Sequence, residues 1–172
     1  VLSINGIPSK VYEADASPEA RTQGGQLDIH EYNGQVALKK ANLMNEFHSI
    51  IHEGADAARI LDSNGQLLLD VPADESNGRP EVFRRDLRKI LLESLPEETI
   101  EWNKKVEYIE EIEQGQYKVV FRDNSSVITN KLIGADGAWS KVRKLLTDVT
   151  PNYVVTTFIE TYLHDVDNNY PE

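Results

Sequence analysis

Leu132-Ile133-Gly134-Ala135-Asp136-Gly137-Ala138-Trp139-Ser140-Lys141-Val142-Arg143 is the stretch that decides how this chain folds. Its apolar start reads as a buried strand over residues 131–135. Asp136-Gly137 then turns the chain, and a helix is expected to run through Leu146. Gly137 permits a sharp turn and lets a ligand approach the backbone. A helix start presents free N–H groups and a positive dipole end, which suit a phosphate. Ser140 and Arg143 stand three apart and share a helix face. From that face Arg143 reaches a phosphate or braces Asp136. The plainer alternative is a strand–turn–helix in which Asp136 does nothing but cap.

Upstream, residues 9–12 read as a short buried strand ending at Glu13. Dinucleotide-binding folds place an acid at the end of the second strand, where it accepts hydrogen bonds from ribose hydroxyls. Glu13 stands where that acid belongs, although a solvated glutamate at a strand end is common. Residues 1–6 read as a last helical turn stopped by Asn5-Gly6. Residues 15–26 are polar and hold Gly24-Gly25, so they read as a loop, followed by a short strand over 27–30. Helical spacing over 34–47 puts Val36, Ala37, Leu38, Ala41 and Leu43 on or near one face.

Two apolar runs, 58–61 and 67–70, flank Ser63-Asn64-Gly65 and predict a hairpin. Residues 71–80 read as a loop. A helix over 86–95 carries a stripe of Leu87, Ile90, Leu91 and Leu95. Arg84 and Arg85 sit at its start, where cations oppose the helix dipole and a bound anion would remove the conflict. Arg85 and Arg88 read as surface or salt-bridge residues, and Arg85 with Asp86 adjacent needs no ligand. Residues 100–102, 106–112, 117–121 and 126–129 predict an antiparallel meander, with Tyr117, Val119 and Phe121 on its core face. Residues 153–163 are strand-like again. Helices alternating with strands, then a late meander, predict an α/β nucleotide-binding sheet with an inserted antiparallel β-meander.

Composition narrows the function. Eighteen basic against 29 acidic residues leave a net charge of −11, which disfavours nucleic acid and anionic lipid as partners. The absence of cysteine excludes disulfides, thiolate metal sites and a cysteine nucleophile. His48 and His52 are spaced to share a metal, but no third ligand accompanies them, and no metal site is expected. No apolar run approaches the roughly 20 residues that span a bilayer. A cytoplasmic monomer is expected.

These motifs resemble one family. The string around Asp136-Gly137 is similar to the DG motif of class A FAD-dependent aromatic hydroxylases, the group that includes para-hydroxybenzoate hydroxylase. The segment Arg21-Thr22-Gln23-Gly24-Gly25-Gln26-Leu27-Asp28 most resembles the tetracycline-inactivating flavin monooxygenases. The resemblance implies FAD and NADPH as cofactors and an incomplete FAD/NAD(P)-binding Rossmann-like domain. It places Asp136, Gly137, Ser140 and Arg143 near the FAD pyrophosphate and NADPH. It links Arg21 to NADPH, Asp28 and Arg84 to FAD, and Glu13 to the adenosine ribose. Gly24-Gly25 would let the backbone lie close to the flavin. Ala14 departs from the arginine usually found after that glutamate.

By the same resemblance, residues 1–150 are an FAD-binding domain lacking its first strand and Gly-rich loop, and 151–172 begin the substrate-domain sheet. The activity implied is hydroxylation of an aromatic or polyketide substrate, tetracyclines among them, at the expense of O2. The hard chemistry belongs to the cofactor, so no catalytic side chain is assigned. The alternatives are a non-catalytic binding module descended from such an enzyme and a flavin-dependent reductase of the same fold. One consequence is testable at once. These 172 residues alone are expected to lose FAD on desalting, and retained visible flavin absorbance would contradict that.

Overall fold

A computed structural model describes residues 1–55, 57–73, 78–157 and 164–169. The chain divides into two compact units. One comprises Val1–Lys105 with Phe121–Asp123, the other Val106–Val120 with Asn124–Glu172. The architecture is mixed α/β. Among the described residues the strands form four small sheets, three of them two-stranded, rather than one nucleotide-binding sheet and an inserted meander.

The first unit opens with a 3-10 turn, Ser3–Asn5, closed by Gly6 at φ 67°. Strand β1 (Val11–Tyr12) and, after an excursion, β6 (Ile100–Glu101) pair in parallel, Val11 opposite Ile100 and Tyr12 opposite Glu101. Glu13 continues the ladder by donating its N–H to the Glu101 carbonyl at 2.9 Å. Residues 100–102 were expected to open the meander; instead Ile100–Glu101 pair with β1, the strand that leads into Glu13. Parallel partners need a long crossover, and nothing local in the sequence marks them. Tyr12 packs on Phe121, ring centroids 4.8 Å apart, and burial pushes its phenol pKa up.

Between those strands lie β2 (Gln26–Asp28), α1 (Gly34–Lys40), α2 (Met44–His48), β3 (Ala58–Leu61), β4 (Leu67–Val71), β5 (Glu81–Phe83) and α3 (Arg84–Glu93). β2 and β5 pair antiparallel, Leu27 opposite Val82 and Asp28 opposite Glu81. The single helix expected over 34–47 is two. Asn33 caps the first with its side-chain oxygen on the Gly34 N–H. Asn42 then breaks it at φ 58°, a left-handed conformation asparagine tolerates better than most residues. The break aims Leu43 and Phe47 inward. They join Ile29, Leu38, Val82 and Ile90 in one apolar core, with Leu27 and Leu87 packed against it. Val36 and Leu91, expected on the buried faces, are exposed.

The β3–β4 hairpin forms as read. Asp62 organises its turn by accepting the Asn64 and Gln66 amides, both at 2.8 Å, and those bonds hold its carboxyl below the usual value. Every residue of both strands is exposed.

In the second unit β7 (Val106–Glu113), β8 (Gln116–Phe121) and β9 (Ser126–Thr129) form the three-stranded meander, β8 in the middle. The β8–β9 register places Val119 opposite Val127. Val119 is buried in β8, as the alternation predicted. The last residue of β8, Phe121, belongs to the first unit and is buried there. Asn124, at φ 66°, makes the turn into β9.

Three expectations beyond β9 fail. Residues 131–135 are extended but form no strand, and the helix expected through Leu146 is only a 3-10 turn, Val142–Leu145. A strand needs a hydrogen-bonded neighbour. Gly134 packs instead against Val142: a Cβ at 134 would lie 2.7 Å from the Val142 Cβ. Residues 151–157 are likewise not a strand, and 158–163 lie outside the described residues. A short helix α4 (Val166–Asn169) ends the described part.

Candidate functional site

Each unit carries its own set of the residues singled out by sequence. In the first, Glu13 closes β1 and turns its side chain back. Its Oε1 accepts the Asp15 amide at 3.0 Å, and its carbonyl accepts the Lys104 N–H at 2.8 Å. One carboxylate oxygen is thereby fixed, and the other remains for a ligand.

Asp15 is a residue the sequence reading missed. Its carboxylate takes Arg21 Nε at 2.9 and 3.2 Å and lies 3.7 Å from Arg88 Nη2. Arg88 also donates to the Pro18 carbonyl at 2.6 Å and lies over the Trp102 ring at 5.4 Å. Loop 15–21 is thus tied to α3, and Arg88 has the structural role expected of it. The Asp15 hydrogen bond, then its charge, raises the Arg21 pKa. Arg21 uses its Nε for this contact and keeps its other nitrogens toward solvent. The signal available in sequence was an opposite-charge pair six apart within one loop.

Asp28, on β2, pairs with Arg79 at 3.3 Å. Arg85 pairs with its neighbour Asp86 at 3.4 Å, as read, and also lies over Phe83. Arg84 differs. Its backbone N–H donates to the Gly25 carbonyl at 3.1 Å, pinning the glycine loop to the start of α3. Its guanidinium has no hydrogen bond or ion pair among the described residues, whereas Arg21, Arg59, Arg79, Arg85 and Arg88 each pair with a carboxylate. Gly25, at φ 78°, has open space where a Cβ would stand.

His48 and His52 share no ligand. His52 bonds Gln26 through Nδ1 at 2.6 Å and stacks on Phe83, while His48 lies against Phe47. No group of three metal-ligating side chains occurs among the described residues.

In the second unit Asp136, Gly137, Ser140 and Arg143 form one self-capped turn. Asp136 Oδ2 accepts the Lys141 amide at 2.8 Å, and the Ser140 hydroxyl bonds the same carboxylate. Ser140 Oγ in turn accepts the Arg143 N–H at 3.3 Å, and the Arg143 guanidinium folds back onto the Ala138 carbonyl. Gly137 takes φ 79°. Without a full helix behind it, this turn has no macrodipole to offer. What remains for an anion is the backbone itself: the amides of residues 137–139 make no backbone hydrogen bond among the described residues.

Burial pushes the Asp136 carboxyl up, but the Ser140 and Lys141 hydrogen bonds and the Arg143 charge outweigh it and hold the pKa below its ordinary value. A folded-state pKa below the unfolded one adds stability above the unfolded value, and that stability fades as pH falls through the folded one. The Asp136 carboxyl carbon should therefore titrate, by NMR, at lower pH than a free aspartate. A midpoint at or above the ordinary value would show the cap to be absent.

No protein-family model matches the chain. The fold is that of FAD-binding hydroxylases. Tetracycline destructase Tet(51) superposes with a TM-score of 0.64 over 86% of this chain and 37% of its own, at 23% identity, a likeness of fold alone. A Photorhabdus luminescens protein described as an FAD-containing monooxygenase gives a TM-score of 0.63 at 30% identity, over 84% of this chain and 37% of that one.

In sequence, monooxygenase asqM of Emericella nidulans is 34% identical over 158 residues, 85% of this chain and 35% of the relative. The homologues of this chain are monooxygenases, several of them named as FAD-dependent, and the resemblance drawn from its motifs holds. The chain spans about a third of the length of the curated relatives it matches.

Proposed function

We propose that these 172 residues are part of an FAD- and NADPH-dependent monooxygenase that hydroxylates an aromatic or polyketide substrate. The observation that carries this reading is Arg84: at the start of α3, its guanidinium has no counter-ion among the described residues, and its backbone bonds a glycine loop with open space beside it. The donors that each unit carries are of kinds that suit parts of FAD. A strand-end acid, Glu13, suits ribose hydroxyls, Arg84 suits a phosphate oxygen, and the open amides of residues 137–139 suit a second anionic group.

In this reading Glu13, Asp28, Arg84 and the Asp136-Gly137-Ser140-Arg143 turn hold FAD, and Arg21, oriented by Asp15, meets NADPH. Residues 1–150 form the Rossmann-like cofactor domain, and 151–172 begin the substrate domain. The parallel β1–β6 pair, with an acid at the end of β1, supports that assignment. Bound FAD supplies the redox chemistry, taking electrons from NADPH and delivering one atom of O2 to substrate and the other to water. The residues of this chain bind and orient it. The protein works in the cytoplasm as a monomer. No helix among the described residues is long and apolar enough to cross a membrane.

The likeness to tetracycline destructases is one of fold and leaves the substrate at the level of an electron-rich ring. The test is substrate-stimulated NADPH oxidation under labelled O2. One labelled oxygen in the product is the expected result. NADPH consumption with no label in the product would instead establish a reductase.

A further inference from the structure

Gln23 belongs to none of the sets above. It precedes Gly24-Gly25, the loop whose Gly25 carbonyl receives the Arg84 amide. Its side-chain nitrogen Nε2 is shut away from solvent and has no hydrogen-bond partner, and among the described residues no other buried side-chain nitrogen or oxygen is left so. A buried donor without an acceptor loses its hydration and gains nothing in return, so folded proteins rarely keep one unless something else satisfies it.

The surroundings indicate what that is. Gly25 has open space where a Cβ would stand, its carbonyl holds the Arg84 amide, and the Arg84 guanidinium has no ion pair among the described residues. An acceptor-rich, anionic molecule lying along this loop would satisfy the amide and the guanidinium together. A flavin dinucleotide is such a molecule, with ring carbonyl, ring nitrogen and phosphate oxygen acceptors and no shortage of any.

We propose that Gln23 is a further cofactor-positioning residue, its side-chain amide donating a hydrogen bond to an acceptor of the FAD held at Arg84. The proposal rests on the FAD reading above. It makes an unusual prediction about the empty protein: losing this amide should not harm it, because the amide has no partner there.

The test is Gln23→Met, which keeps length and shape but removes the donor, with Gln23→Leu as a second apolar variant. Both are made in the full-length protein. Thermal melting of the FAD-free form and FAD affinity by fluorescence titration are measured together. The expected result is an unchanged or raised melting temperature without FAD and an FAD Kd raised about tenfold, the effect of one hydrogen bond. A lowered melting temperature of the FAD-free form in both variants would mean that the amide already has a protein partner, and would overturn the proposal. So would an unchanged FAD Kd. If the unaltered protein takes up no FAD, the functional reading itself fails; if it binds FAD and the variants match it, only the role of Gln23 does.

Discussion

Arg84→Ala is expected to weaken FAD binding by about ten- to a hundredfold while leaving the FAD-free protein as stable as before or slightly more so. The two effects have separate causes. A hydrogen bond to a charged group contributes about 1.5–3 kcal/mol, which sets the loss of affinity. In the absence of ligand, the Arg84 charge stands at the positive end of α3 with no carboxylate paired to it among the described residues. Such a cation costs about 0.3–1 kcal/mol at an exposed site, and its removal relieves that cost. Arg88→Ala is the contrasting variant. Arg88 holds Asp15, the Pro18 carbonyl and Trp102 together, so its loss should lower stability as well. FAD titration and thermal melting of both variants distinguish the roles. Equal FAD affinity in Arg84→Ala and the unaltered protein would remove Arg84 from the site.

Phe47→Ala carries the largest expected effect on stability. Phe47 is 0% exposed and sits where α2 meets β5 and α3, in the core with Leu43, Val82 and Ile90. Removing a buried phenylalanine costs about 3–5 kcal/mol, because transfer energy is lost and a cavity remains. Domains are stable by about 5–15 kcal/mol in all, so the first unit is left close to unfolding at ambient temperature. The same core anchors β5 and the start of α3, so FAD affinity should fall with it. Urea denaturation measures the loss. Leu91→Ala, on the exposed side of α3, should cost far less than Phe47→Ala; similar costs would mean that the core is not built around Phe47.

What the sequence disclosed follows from what is local. The β3–β4 hairpin was legible because Asp62, Asn64 and Gly65 make a turn from neighbouring residues alone. Helix α3 was legible from the spacing of Leu87 and Ile90, and the core side of β8 from the alternation that buries Val119 and Phe121. Arg85 next to Asp86 was read as a self-satisfied pair, and it is one. What stayed hidden depends on distant partners. β6 was assigned to the meander because only the fold brings Ile100 beside Val11. Residues 131–135 have the composition of a strand, yet composition supplies no neighbouring strand to bond.

The candidate site divides along the same line. Glu13 and Arg84 were singled out from their positions at element ends, where dinucleotide folds use such residues. Asp15 and Gln23 drew no attention in sequence, because what marks them is what they touch and what they lack. The turn at Asp136-Gly137 was singled out on an expectation that failed in part. It was expected to aim a helix at a ligand. Instead its own side chains hold it rigid and leave backbone amides open.

The most direct test is the visible absorbance of a full-length protein containing these residues, purified and desalted without added cofactor. The account predicts a flavin spectrum with about one FAD per chain, released intact on denaturation. A colourless protein that also fails to take up added FAD would contradict it.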